Sequence, residues 1–397
     1  MQDLLFLAHR IPYPPNKGDK IRSYHFLKHL TNHFNVHLGT FIDDPNDWQY
    51  TDKLDAICAS TRYLGLKPLL CKIKSLQGLV TGQPLSLPYY QSQAMQDWVD
   101  ETIKKHNIKK VLIFSSVMAS FINDSHNVDS IVDFVDVDSD KWRQYAESKR
   151  GLAAWIYRRE SSYLLNYEKA VAARSLVSFF VSEQEAQLFK QLAPEVSDKV
   201  THINNGVDID YFSPDIQFAS PYPEATQAFV FTGAMDYWAN VDAVSWFAKE
   251  VFPAIANQYP QVKFYIVGSR PTKEVLALAN DAVIVTGSVE DVRPYLAHAK
   301  LAVAPLRIAR GIQNKVLEAM AMAKPVFATT AAMEGIPYQG KLAVAVGDEP
   351  SAVIAQLNAF LQGQQAPIAY ENRDFVTENF SWAQNVNRLA SLMQAKA

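Results

Sequence analysis

Residues 301–330 read LAVAPLRIARGIQNKVLEAMAMAKPVFATT. An apolar run at 301–305 gives way to a loop carrying Arg307, Arg310 and Gly311, and a second apolar run follows at 326–330. Between them, residues 316–323 are apolar on every face except at Glu318. A helix that is hydrophobic all round is normally buried. The stretch therefore reads as strand, loop, buried helix, strand, the repeating unit of a parallel α/β sheet.

The same unit recurs along the chain. Short apolar runs stand at 4–8, 36–42, 61–66, 110–115, 130–135, 175–181 and 200–203, then at 228–232, 262–267, 282–286, 301–305, 326–330 and 342–346. Most are continuously apolar rather than alternating, as strands covered on both faces are. Two sheets of about six or seven strands fit better than one of thirteen. The seam falls at NNGVDIDYFSPDIQFASPYPEA (204–225), rich in turn residues and proline. The expectation is an α/β chain with an N-terminal domain at 1–205, a C-terminal domain at 206–378 and a last helix at 379–397 packing back on the first domain. That helix opens with a capping box, Ser381 to Gln384, and carries Trp382, Val386, Leu389 and Met393 as one stripe. Residues 139–174 read as one long helical stretch.

Composition narrows the function. The 397 residues are 48% hydrophobic, 12% aromatic and 20% charged, with a net charge of −3. That is an ordinary globular mixture with no basic field to attract nucleic acid. Cys58 and Cys71 form neither a metal spacing nor a disulfide framework, which suits a reducing cytoplasm. The five-residue apolar run near the N-terminus is too short for a signal-peptide core, and no segment approaches the roughly 20 apolar residues of a membrane span. A cytoplasmic protein is expected.

In open α/β sheets ligands bind at the carboxyl ends of strands, beside helix N-termini. The loop at 306–313 should open there. The helix N-terminus is a ready anion site, Gly311 lets a ligand approach the backbone, and Lys315 adds a point charge suited to phosphate. Glu318, one turn on, can accept hydrogen bonds from a sugar diol. Together these fit a nucleotide diphosphate with its ribose; the competing reading is a Lys315–Glu318 ion pair within the helix.

RGIQNKVLEAMAMAKPVFAT (310–329) resembles the donor-binding motif of retaining glycosyltransferases of family 4, which have the GT-B architecture: two Rossmann-like doubly wound parallel-sheet domains facing across a cleft. NNGVDIDYFSP is similar to that family's inter-domain segment, FTGAMDYWANVDAVSWF to its first C-terminal strand–loop–helix, and VTGSVEDVRPYLAHAKLAVAPLR to its nucleotide-base segment. DFVDVDSDKWRQYA resembles sugar transferases found with exopolysaccharide and exosortase systems. The resemblance implies that Glu318, the second glutamate of the family's E-x7-E motif, binds the donor ribose. Arg310 stands where the first glutamate is usual and is expected at the diphosphate with Lys315 and Arg307. Gly18, Gly233, Gly268, Val289, Gly311, Ile312, Gln313 and Asn314 would line the donor. Val135 falls where many relatives carry an active-site histidine.

On the acceptor side the expected residues are Asp19, Asp136, Asp138 and Trp142. Asp19 and Asp138 read equally well as helix caps, and Asp136 with Asp138 as a pair able to share a hard cation. The resemblance implies that no metal is required. The histidines, His9 among them, read as structural or exposed. Residues 141–159 hold six basic side chains (Lys141, Arg143, Lys149, Arg150, Arg158, Arg159) against one acid, Glu147, interleaved with Trp142, Tyr145, Trp155 and Tyr157. Such a run suits either a peripheral seat on the inner membrane or a solvated helix face.

The expected function is transfer of a sugar from a nucleotide-diphosphate donor to a saccharide or lipid-linked acceptor with retention, in exopolysaccharide or other surface glycan synthesis. No cofactor and no nucleic-acid partner are expected. Two alternatives stay open: a nucleotide-sugar epimerase of the same fold, and a non-catalytic nucleotide-sugar-binding protein.

Overall fold

All thirteen apolar runs are strands in the computed structural model, which describes residues 1–15, 18–147, 150–309, 311–338, 342–363 and 368–394. The chain forms two compact units, Met1–Asn205 with Asn385–Ala397, and Gly206–Gln384.

The first unit holds a seven-stranded sheet in the order β3-β2-β1-β4-β5-β6-β7, built from Gln2–Ala8 (β1), Phe34–Ile42 (β2), Ser60–Gly65 (β3), Lys110–Phe114 (β4), Asp129–Val135 (β5), Val177–Phe180 (β6) and Val200–His202 (β7). The second holds six strands in the order β10-β9-β8-β11-β12-β13: Gln227–Thr232 (β8), Val262–Val267 (β9), Val283–Gly287 (β10), Leu301–Ala304 (β11), Val326–Ala328 (β12) and Val344–Val346 (β13). Every pairing is parallel. The central strands are buried along almost their whole length, as at Leu4 to Ala8 and Ala228 to Phe231. This is why continuous apolar character, not alternation, marked them. Each unit has its own hydrophobic core.

Strand order reverses between β1 and β4 in one sheet and between β8 and β11 in the other. At such switch points the following loops diverge to opposite faces and leave a crevice at the strands' carboxyl ends. The helix Asn314–Ala321 that follows β11 is buried at Val316, Leu317, Ala319, Met320 and Ala321.

The stretch 139–174 is not one helix. It is two, Asp138–Glu147 and Gly151–Arg174. The second begins at Gly151 with a left-handed φ of 64°, a conformation glycine adopts without Cβ strain. Trp142 and Tyr145 of the first helix meet Tyr157 of the second, with ring centroids 5.3 and 6.3 Å apart, so the two lie against each other. The last helix, Trp382–Gln394, starts in the second unit, and from Asn385 its residues belong to the first. Val386, Leu389 and Met393 are buried there, and Asn387 hydrogen-bonds His29 at 3.1 Å.

Candidate functional site

Two glycines meet at the carboxyl ends of β8 and β9. Gly233 follows β8 and Gly268 follows β9, and a Cβ built on Gly268 would stand 1.6 Å from the Gly233 carbonyl oxygen. No side chain fits there. Gly233 in turn lies beneath the side chains of Asn240 and Lys315; a Cβ on it would meet them at 2.8 and 3.4 Å. Asn240, from the helix Trp238–Trp246, donates to the Ala234 carbonyl at 2.9 Å and accepts from the Lys315 ammonium at 2.6 Å. The ammonium also sits 4.3 Å from the Phe231 ring centre. A buried asparagine thus aims a lysine over a glycine floor at the switch point of the second sheet.

Lys315 and Glu318 are not a closed pair. The lysine is held by Asn240, and no ion pair at contact distance joins it to Glu318, although each feels the other's charge. Burial lowers the Lys315 ammonium to about 8, with Glu318 opposing, and raises the Glu318 carboxyl to about 7, with Lys315 opposing. Desolvation disfavours both charges, and a bound partner with matching chemistry would relieve it. The helix N-terminus adds to the same point: its first turn holds no acid and no side chain caps it, so its positive end is not neutralised from within.

The loop ahead of that helix supplies the remaining donor-side residues. Gly311 has a left-handed φ of 67°. Gln313 is the N-cap residue and donates from its side chain to the Gly311 carbonyl at 3.0 Å; Asn314 is the first helical residue. Ile312 packs on the core beside Gly335, and Val289 also packs on that core, just past β10. Arg307 is half-exposed and pairs with Asp242, its Nε 3.0 Å from the carboxylate, so its charge is already engaged. Arg310 lies outside the described residues.

In the first unit Gly18 opens the helix Gly18–Leu30, which Arg22 anchors through a buried pair with Asp133 at 2.7 Å. Asp19, in the first turn of that helix, engages its side chain with residues just past the strand that precedes it. It accepts from Arg10 at 2.6 Å and lies 3.7 Å from His9. Burial would raise its carboxyl, but His9 and Arg10 hold it well below the usual carboxylate range. His9 stacks on Phe114 (5.9 Å, 4°) and meets Tyr90 edge-on, while Arg10 also reaches Asp43 at 2.9 Å. This cluster occupies the switch point between β1 and β4. Among the described residues the His9 Nδ1 is buried without a hydrogen-bond partner. His9, expected to be structural or exposed, is packed among these side chains.

Asp136 and Asp138 converge, but on Lys141, whose ammonium lies 2.7 and 3.1 Å away. They hold a cation supplied by the chain itself. Trp142 belongs to the aromatic contact between the two helices. Val135 closes β5 with φ at 67°, costly for a β-branched residue, and its N–H donates to Asp133 at 2.9 Å. Much of the basic charge at 141–159 is also spent locally: Arg143 pairs with Asp140 and Glu147, and Arg159 donates to the Gly78 carbonyl at 2.5 Å. Lys149 lies outside the described residues.

Glu168 should contribute to this region's pH response. It is buried and accepts from the Ser139 hydroxyl at 2.5 Å and from its N–H at 3.3 Å. Burial pushes its carboxyl up to about 8 from an ordinary 4.5. The folded state therefore keeps a proton that the unfolded chain has released, so stability present below pH about 4.5 is lost as pH rises through about 8. Glu168→Gln should flatten the fall in melting temperature across that window. An unchanged pH profile would show that Glu168 does not carry the proton.

Three side chains far apart in sequence, Asp3, His37 and His106, also come within 4.8 Å of one another. Both ring nitrogens of His37 are occupied, by Asp3 at 3.0 Å and Ser60 at 2.7 Å, and His106 packs over its ring at 4.2 Å. The contacts satisfy one another as a structural cluster.

Residues 226–363, which include the glycine floor, Asn240, Lys315 and Glu318, match the family model described as Glycosyl transferases group 1. Among curated proteins none matches the sequence. Among solved structures the chain is similar over its whole length to a glycosyltransferase from Rickettsia africae ESF-5 (13% identity, TM-score 0.63, 100% of this chain and 99% of that one). It is similar too to sucrose-phosphate synthase from Thermosynechococcus elongatus (17%, 0.65, 99% and 98%). Anabaena HepE, solved in complex with UDP, gives 15% identity and a TM-score of 0.65 over 99% of each chain. The chain therefore has the two-domain α/β GT-B fold, and residues 226–363 of its second unit match the group 1 glycosyltransferase model.

Proposed function

We propose that the protein is a retaining glycosyltransferase that moves a sugar from a nucleotide-diphosphate donor to a saccharide or lipid-linked acceptor, in exopolysaccharide or other surface glycan synthesis. The observation that carries this reading is the Lys315 ammonium, held by Asn240 over the Gly233–Gly268 floor at an uncapped helix N-terminus, with Glu318 one turn further in. HepE has been solved with UDP and with UDP-glucose, which makes a uridine nucleotide the first donor to try here.

In the proposed reaction the bond between the anomeric carbon and the diphosphate oxygen breaks, and its electron pair leaves with the diphosphate. Lys315, Arg310 and the helix N-terminus stabilise that growing charge. The acceptor hydroxyl oxygen bonds to the same face of the sugar, and its proton passes to a donor phosphate oxygen. Protein cations and the helix N-terminus take the place of a divalent metal, so no cofactor is invoked.

The test is calorimetry with UDP, GDP and their sugars, followed by a transfer assay with and without EDTA. Glu318→Ala should weaken nucleotide binding by about 1.5–3 kcal/mol, the range for hydrogen bonds to a charged group, and transfer should survive chelation. A folded Glu318→Ala chain with unchanged nucleotide affinity would remove Glu318 from the site. Loss of transfer in EDTA, restored by manganese, would show that a metal is needed. Binding without any donor turnover would instead favour the non-catalytic alternative.

A further inference from the structure

The segment between β3 and β4 leaves its large apolar side chains in water. Two short helices there, Pro68–Ser75 and Gln77–Thr81, follow each other with only Leu76 between them, itself in helical conformation. Leu69, Ile73, Leu76 and Val80 recur at intervals of four, three and four residues, so they share one face of the helical path. Val80 is 90% exposed and Leu69 78%; Leu70 beside them is exposed as well, while Cys71 turns inward. An exposed apolar stripe of this kind marks a surface that something covers.

Charge identifies what covers it. Residues 56–96 contain Arg62, Lys67, Lys72 and Lys74 and not one aspartate or glutamate. Lys67, Lys72 and Lys74 are all exposed beside the stripe. A second copy of the chain would bring these cations face to face, which disfavours self-association. An anionic lipid surface satisfies both features at once, since it takes apolar side chains into the acyl boundary and lysines at the headgroups.

A neighbouring helix extends the same surface. Arg159 donates to the Gly78 carbonyl, and Tyr163 lies within 3.7 Å of the position a Cβ on Gly82 would take. This face of the helix Gly151–Arg174 therefore rests on the pair of short helices. Leu152 and Trp155, seven and four residues before Arg159, continue it and are both exposed. Tryptophan is enriched at membrane interfaces.

We propose that the helices at 68–81, with Leu152 and Trp155, dock the first unit on an anionic bilayer surface. No helix among the described residues is long and apolar enough to cross a membrane, so the contact lies in the plane of the interface. The inference stands on exposure and charge and does not depend on the sugar-transfer reading.

The experiment is flotation of the full chain with vesicles of phosphatidylcholine alone or mixed with phosphatidylglycerol. The chain should float with the mixed vesicles only, less so at high salt, and Trp155 emission should shift to the blue. Lys72→Gln with Lys74→Gln should weaken binding by about 25-fold, at roughly fivefold per lysine, and Ile73→Glu should abolish it. Both variants should melt and bind UDP as the parent chain does. Equal binding to neutral and anionic vesicles, or floating unaltered by Ile73→Glu, would overturn the proposal. So would a non-floating chain that forms a dimer which Ile73→Glu dissociates, since the stripe would then be a contact between copies.

Discussion

Lys315→Ala should lower sugar-transfer turnover by about 10²–10³-fold, the scale for removing one preorganised electrostatic group from a leaving charge. The ammonium is fixed before any ligand arrives, by the 2.6 Å bond to Asn240 and the Phe231 ring beneath it. Little has to reorganise as charge develops. Wild-type turnover should also fall as pH rises through about 8, where Lys315 loses its proton. The alanine variant should lack that limb. A folded variant that turns over at the parent rate would return Lys315 to a purely structural role.

Gly268→Ala should have the largest effect on stability. A Cβ there would stand 1.6 Å from the Gly233 carbonyl oxygen, and backbone cannot rotate out of the way as a side chain tip can. Two central strands would have to part at their carboxyl ends. A cost of about 3 kcal/mol or more is expected, in the range of severe overpacking. In a unit of this size that is a fall of roughly 6–12 °C in melting temperature, readable by calorimetry along with loss of UDP binding. A variant with the parent's transition would mean that the two loops can separate freely. Gly311→Ala makes a useful contrast, because nothing lies within 4 Å of its added Cβ and only the left-handed backbone is strained.

The strands were legible because their signal is local. A run such as Phe229, Val230 and Phe231 is apolar throughout because both faces of the sheet are covered, and no distant residue is needed to see it. The helix at 314–321, with polar residues only at its mouth and at Glu318, was legible for the same reason. Asn240 was not. It lies 75 residues from Lys315, and only the packing of two helices at one switch point brings them together. Its helix, WANVDAVSW, also carries Asp242 and Ser245, so no lone polar residue singled it out as Glu318 was singled out. The surroundings of His9 were not legible for a related reason: they come from Phe114, Tyr90 and Asp19, each on a different element. The split at Gly151 was missed because both flanking stretches favour helix, and the break rests on one left-handed residue.

The last helix bears on how the protein is made. The second unit is one unbroken segment, Gly206–Gln384, whereas the first needs residues from both ends of the chain. During synthesis the N-terminal sheet emerges first, yet the surface that receives Val386, Leu389 and Met393 must wait until everything between has been translated. The second unit can therefore finish folding before the first does, the reverse of the usual N-terminal-first order. Until then the first unit holds an open apolar seam, and a ribosome that pauses before Asn385 leaves a nascent chain with one finished half and one that invites chaperones.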